Sequence, residues 1–239
     1  MGEKMVKIEL LKKKDSMAYF HVKGADVHLL NAIRRTVLSD LPSFAIEDVS
    51  FYENNSPLFN EYIAHRLAMI PLTFDENASP DAKITLSIEA TGPSVVYSKD
   101  LKSTDEKIIP ATQHIPIMTL MENQALRLEA VAILGSPSQH AKFQNSHCSY
   151  GYFPELKVKG KITDALQFLP KGSVDERGKI LLPEKLDIGH LNDSVSIEGK
   201  EGEFILLIES YNGEDPSDVL RRTLKLIKEK ITALKTELK

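Results

Sequence analysis

A chain of 239 residues, 42% hydrophobic and 27% charged, holds one large domain or two modest ones around a substantial core. Its net charge of −4 argues against a protein whose main task is gripping nucleic acid. A lone cysteine, Cys148, excludes an internal disulfide and any multi-cysteine metal cluster. No apolar run approaches the roughly 20 residues that span a bilayer, and the first residues lack a signal-peptide core, so a cytosolic protein is expected.

In chain order, Val6, Ile8 and Leu10 alternate with Lys7 and Glu9, the pattern of a half-buried strand. Residues 18–23 supply its antiparallel partner across a Lys14-Asp15-Ser16 turn. Asp26 is placed to cap a helix that runs to Ser39 and is ended by Pro42. A strand follows near residues 45–53. Ser56 and Pro57 then read as the cap and first-turn proline of a second helix, closed by Pro71. From residue 83 the pattern is mainly β: Ile84, Leu86, Ile88 and Ala90 alternate with polar residues, and Gly92-Pro93 marks a turn. Further strands are expected over 125–134 and 150–158. Residues 160–202 scatter Pro, Gly, Asp and Lys among short apolar pieces and read as a small inserted subdomain, before a buried strand at 203–211.

The last helix is the best-defined element. Asp215, Pro216 and Asp218 supply a cap, a first-position proline and a third-position carboxylate. Leu220, Leu224, Ile227, Ile231, Leu234 and Leu238 then recur at alternating spacings of four and three, widened by Val219, Leu226 and Ala233. Such a stripe packs on the chain's own sheet, on a neighbouring subunit, or on both.

Sites for chemistry are sparse. There is no phosphate-binding glycine loop, nucleophile elbow or zinc-protease helix. His140, His147 and Cys148 come nearest to a metal cluster, but their spacing fits no standard ligand pair, and neighbours on a strand point to opposite faces. A non-catalytic chain is expected. The alternative is a free-standing homodimeric binding protein or an enzyme using the 135–150 loop.

Two stretches place polar and cationic groups inside otherwise apolar helices: Asn31, Arg34 and Arg35 in the first, His65 and Arg66 in the second. An arginine pair offers bidentate docking to carboxylates or carbonyls of another chain. An intramolecular salt bridge or a solvated edge is the competing account. The run Asn31-Ala32-Ile33-Arg34-Arg35-Thr36-Val37-Leu38, with Gly24 before it and Leu41-Pro42 after it, resembles the signature helix of the α-type subunits of multisubunit RNA polymerases. Residues 59–72 resemble the form this family takes in archaea and eukaryotes. Gly135 followed by Gln139-His140-Ala141-Lys142-Phe143 is similar to a third motif of the group.

The resemblance implies an α+β chain: an α/β dimerisation domain from residues 1–45 and 203–239, with an inserted mainly-β domain over 46–202. It implies a scaffold of a DNA-directed RNA polymerase, pairing with a small L-type subunit and meeting the second-largest subunit, with DNA reached only through the complex. The dimer interface would take Leu30, Asn31, Leu220, Leu224, Ile227, Ile231, Leu234 and Leu238. Docking of large subunits would take Arg34, Arg35, His65, Arg66, His140 and Lys142. Many archaeal relatives carry a ferredoxin-like module with iron–sulfur clusters where residues 160–200 stand. This stretch contains no cysteine, which excludes a thiolate-held cluster. A degenerate subdomain is expected instead, packed through Leu166, Phe168, Ile180, Leu181, Leu186 and Ile188, with no cofactor. Relatives usually carry Gly where Ala68 stands, a one-methyl difference expected to leave the role unchanged.

Overall fold

The computed structural model describes residues 5–159, 169–175, 180–192 and 195–238. Among these are eleven strands and three α-helices, a mixed α+β chain in which sheet predominates. By packing, the chain divides into two compact units, residues 1–34 with 148–208 and residues 35–147 with 209–239. The expected division into a dimerisation domain of residues 1–45 with 203–239 and an inserted domain of residues 46–202 draws its boundaries elsewhere.

The first unit is built on a five-stranded sheet. Strands β1 (Lys7–Lys14) and β2 (Met17–Lys23) form an antiparallel hairpin, and β11 (Val195–Ser210) joins β2 to β10 (Gly189–Asn192), while β9 (Ser146–Val158) also pairs with β11. The hairpin reverses at Asp15, whose φ of 50° is one that Asp tolerates. Along β11, Phe204, Leu206 and Ile208 are buried in alternation, as a strand with one covered face requires. Phe204 packs against Tyr152 and Tyr150, with ring centroids 5.1 and 6.4 Å away. Gly24 follows the hairpin with φ +74°, and a Cβ there would stand 3.1 Å from the Met5 carbonyl oxygen.

Helix α1 (Val27–Ser39) begins where expected, because the Asp26 carboxylate accepts the Leu29 amide at 2.8 Å. Its buried residues Leu30, Ile33 and Val37 lie on one face. A small separate cluster joins Leu169, Val174, Leu186 and Ile197, with Leu156 and Ile180 against it. Leu181 and Ile188, expected in that packing, are instead about half exposed. Leu166 and Phe168 lie outside the described residues.

The second unit holds the larger core. Strands β3 (Ser43–Asn54), β8 (Ala125–Gly135), β4 (Lys83–Thr91) and β6 (Lys102–Ser103) form an antiparallel sheet in that order, and β5 (Ser94–Tyr97) pairs with β7 (Pro116–Leu120). Ile84, Leu86, Ile88, Leu126, Leu128 and Ala130 fill one face, together with Ile63 and Leu67 from α2 (Asn60–Ala68). This helix starts later than Ser56-Pro57 suggests. The Asn54 side chain draws Ser56 into a turn, accepting its amide and hydroxyl, and the Ser56 hydroxyl accepts the Leu58 amide. The serine thereby caps a turn rather than a helix.

Candidate partner-docking surfaces

Helix α3 (Pro216–Glu237) is capped by Asp215, which accepts the Ser217 amide at 2.9 Å. Its 22 residues make a rod of about 33 Å. The first turns are anchored. Val219, Leu220 and Thr223 are buried, and Arg222 is held by three partners at once. Its guanidinium donates to Glu214 at 2.5 Å and to the Pro42 carbonyl at 2.6 Å, and its centre lies 3.4 Å from the Phe74 ring centroid. Lys225 pairs with Glu76 at 2.7 Å and Lys230 pairs with Asp40, tying the middle of the helix to the same unit.

Beyond that anchor the apolar stripe is uncovered. Leu224, Ile231, Leu234 and Leu238 are 37, 49, 57 and 79% exposed, and Ile227 is half-buried. Isolated exposed leucines are ordinary, but a row of them at heptad spacing marks a surface built to be covered. The stripe residues divide accordingly. Leu220 and Leu30 are buried within the chain, whereas Leu224, Ile231, Leu234 and Leu238 present apolar area to solvent.

The cationic residues also separate. Asn31 accepts Arg34 Nε and Nη2 at 3.3 and 2.9 Å, which fixes a half-buried guanidinium on α1. Arg35 is exposed, and its guanidinium makes no hydrogen bond or ion pair among the described residues. His65 is exposed on α2 beside Phe59, Tyr62 and Met69, each more than half exposed. Arg66 instead donates to the Pro116 carbonyl on β7 and lies 5.9 Å from the Tyr62 ring centroid, so it ties α2 to its own unit.

The third motif is mainly architectural. Lys142 Nζ donates to the Ile46 carbonyl at 3.0 Å and to Glu47 at 2.5 Å, both within its own unit. The exposed His140 accepts the Lys142 amide at 3.1 Å and caps the short turn Ala141–Phe143. Gly135 is needed because a Cβ there would lie 2.5 Å from the Phe143 ring. Cys148 is buried, which pushes its thiol up to about 12 and leaves it protonated and unreactive. Among the described residues, no group of His, Cys, Asp or Glu could hold a metal ion, and no helix is long and apolar enough to cross a membrane.

Residues 49–154 match the family model described as the RNA polymerase Rpb3/RpoA insert domain. The chain is 39% identical to DNA-directed RNA polymerase subunit Rpo3 of Thermococcus kodakarensis, with 95% of each chain covered. It belongs to the Rpo3 family of archaeal RNA polymerase subunits. The Rpo3 of Pyrococcus furiosus is 37% identical, with 98% of this chain and 97% of the relative covered. That of Methanothermobacter thermautotrophicus is 31% identical, with 93 and 95% covered. These Rpo3 relatives give no support to a free-standing homodimer or an enzyme using residues 135–150. Within this family setting, Arg222 is the residue that sequence reasoning missed. Its signal was an arginine one position before the buried Thr223 in the first turns of an amphipathic helix, where a charge requires a partner.

Proposed function

We propose that this chain is a non-catalytic assembly subunit of an archaeal DNA-directed RNA polymerase, working in the cytoplasm and reaching DNA only through the complex. Residues 1–45 and 203–239 form its dimerisation domain, and α1 with the uncovered stripe of α3 pairs with a small L-type subunit. Residues 46–202 form the inserted domain, which meets the second-largest subunit. Arg34 and Arg35 on α1, His65 on α2 and the exposed His140 face large subunits, with Arg66 and Lys142 holding those surfaces in shape. Nucleotidyl transfer belongs to other chains. Residues 160–200 are a remnant of a ferredoxin-like module that holds no cofactor.

The observation that carries this reading is the row of exposed apolar residues on α3, in a chain similar over nearly its whole length to Rpo3 proteins. Covering Leu224, Ile231, Leu234 and Leu238 would remove about two side chains' worth of apolar surface from water, roughly 3–6 kcal/mol. Co-expression with a small L-type subunit tests the pairing. A one-to-one complex that then captures the second-largest subunit is the expected result. A chain that stays alone, or pairs only with itself, overturns the reading.

A further inference from the structure

The uncovered stripe of α3 is bordered by charge of nearly one sign, and that border discriminates among the helices that could cover it. With Leu224, Ile231 and Leu238 at the a positions of a heptad and Leu220, Ile227 and Leu234 at d, all three e positions are cationic: Arg221, Lys228 and Lys235. The g positions hold Thr223, Lys230 and Glu237. Arg221 is engaged by Asp218 and Lys230 by Asp40. Lys228 and Lys235 are exposed and make no ion pair among the described residues.

A second copy of this chain would bring the same border to the seam. In antiparallel pairing e residues face e residues, which sets Lys228 of one copy toward Lys228 or Lys235 of the other, according to register. In parallel pairing g faces the e residue five places on, which sets Lys230 of one copy toward Lys235 of the other. Either way lysine meets lysine beside a surface that is losing its water, where like charges repel most strongly. The apolar seam alone would allow self-pairing; its flanks oppose it.

We propose that the exposed stripe of α3 takes one helix of a different chain whose apolar seam is flanked by Asp and Glu, and that Lys228 and Lys235 select this acidic partner over a second copy. The proposal rests on the reading of α3 as a subunit-pairing surface and adds the chemistry of the partner to it. The lysines act in the sense of specificity: they supply attraction to the right flank and a penalty against the wrong one.

The test uses the full chain, fluorescently labelled and followed by sedimentation, alone and with an unlabelled K228E/K235E copy. The wild type alone stays monomeric at micromolar concentration. The mixture forms a dimer at least about tenfold tighter than wild-type self-association, and raising salt from about 0.1 to 1 M loosens it. Wild-type self-association as tight as the mixed pair, or a mixed pair indifferent to salt, overturns the proposal. So does a mixed pair that survives Ile227→Asp with Ile231→Asp in both copies, because the seam would then lie elsewhere. Titration with the small L-type subunit separates the two claims. If that subunit binds the wild type and K228E/K235E equally, the charge selector is overturned while the pairing surface stands. If it binds neither while the mixed dimer forms, the selector stands and the polymerase reading fails.

Discussion

Replacing Ile227 and Ile231 by aspartate should separate the chain's ability to fold from its ability to pair. Ile231 is 49% exposed and has about half its apolar surface still to lose on docking, whereas Ile227, already largely buried, has no more than about a third. That is about 1 kcal/mol for Ile231 and roughly half as much for Ile227. A carboxylate in the same place must be stripped of water without a partner, which costs several kcal/mol more. The double substitution therefore weakens pairing by about 4 kcal/mol or more, on the order of a thousandfold in Kd. The cost to the chain itself is smaller, about 2 kcal/mol and mostly from the largely buried Ile227, because Ile231 is half in solvent in the unpaired chain. Calorimetric titration with the small L-type subunit measures the first quantity, and a thermal melt of the free chain measures the second. An unchanged Kd would refute the assignment of the stripe as the pairing surface. A collapsed melt would refute the claim that these residues wait for a partner.

Arg34→Ala with Arg35→Ala should leave the melt within about 1 kcal/mol of wild type, since Arg35 is exposed and Arg34 loses only its bonds to Asn31. The same pair should weaken capture of the second-largest subunit in a pull-down, and undiminished capture would count against a docking role. Arg222→Ala should lower stability by about 3 kcal/mol in urea titrations, because it strands Glu214 and the Pro42 carbonyl with little water to replace the guanidinium. Gly135→Ala should cost about 1–3 kcal/mol through the clash with Phe143, and Phe143→Leu in the same chain should recover part of it.

The first unit should lose stability on mild acidification. His21 stacks on Phe153 with centroids 4.0 Å apart and meets Glu203 at 2.8 Å. Burial holds His21 below its ordinary value, with Lys23 pushing the same way, against the upward pull of Glu203. Burial raises Glu203, yet the hydrogen bonds of Lys200 and His21 outweigh it and leave that carboxyl below its usual range. A lowered folded pKa gives stability that is complete above the unfolded value, near 6.5 for His21, and is lost as pH falls from there toward the folded one. Melting temperature should thus begin to drop as pH falls below about 6.5, and His21→Phe should flatten that drop. A parallel slope in both proteins would remove His21 from the account.

Local chemistry was readable wherever it acts over a few residues. Asp26 and Asp215 cap their helices as their spacing indicated, and the alternation of Ile84, Leu86 and Ile88 buries one face of β4. Ser56-Pro57 misled because the Asn54 side chain competes for the same serine. The cationic residues were harder to read, since their partners are distant in sequence. Arg66 and Lys142 bind the carbonyls of Pro116 and Ile46, which no local pattern announces, whereas the Arg35 guanidinium remains free of such targets among the described residues. Arg222 went unread for the same reason, its contacts coming from residues 42, 74 and 214. The exposed half of α3 was legible as a stripe, but only burial showed which of its members the chain leaves uncovered.

The central claim is that this chain assembles a polymerase rather than acting alone. Affinity purification of the tagged chain from its native cells, with mass spectrometry of the chains that co-elute in stoichiometric amounts, tests that most directly. The account predicts a small L-type subunit together with the second-largest subunit and the other large polymerase chains. Recovery of the chain alone, or with only copies of itself, would contradict it.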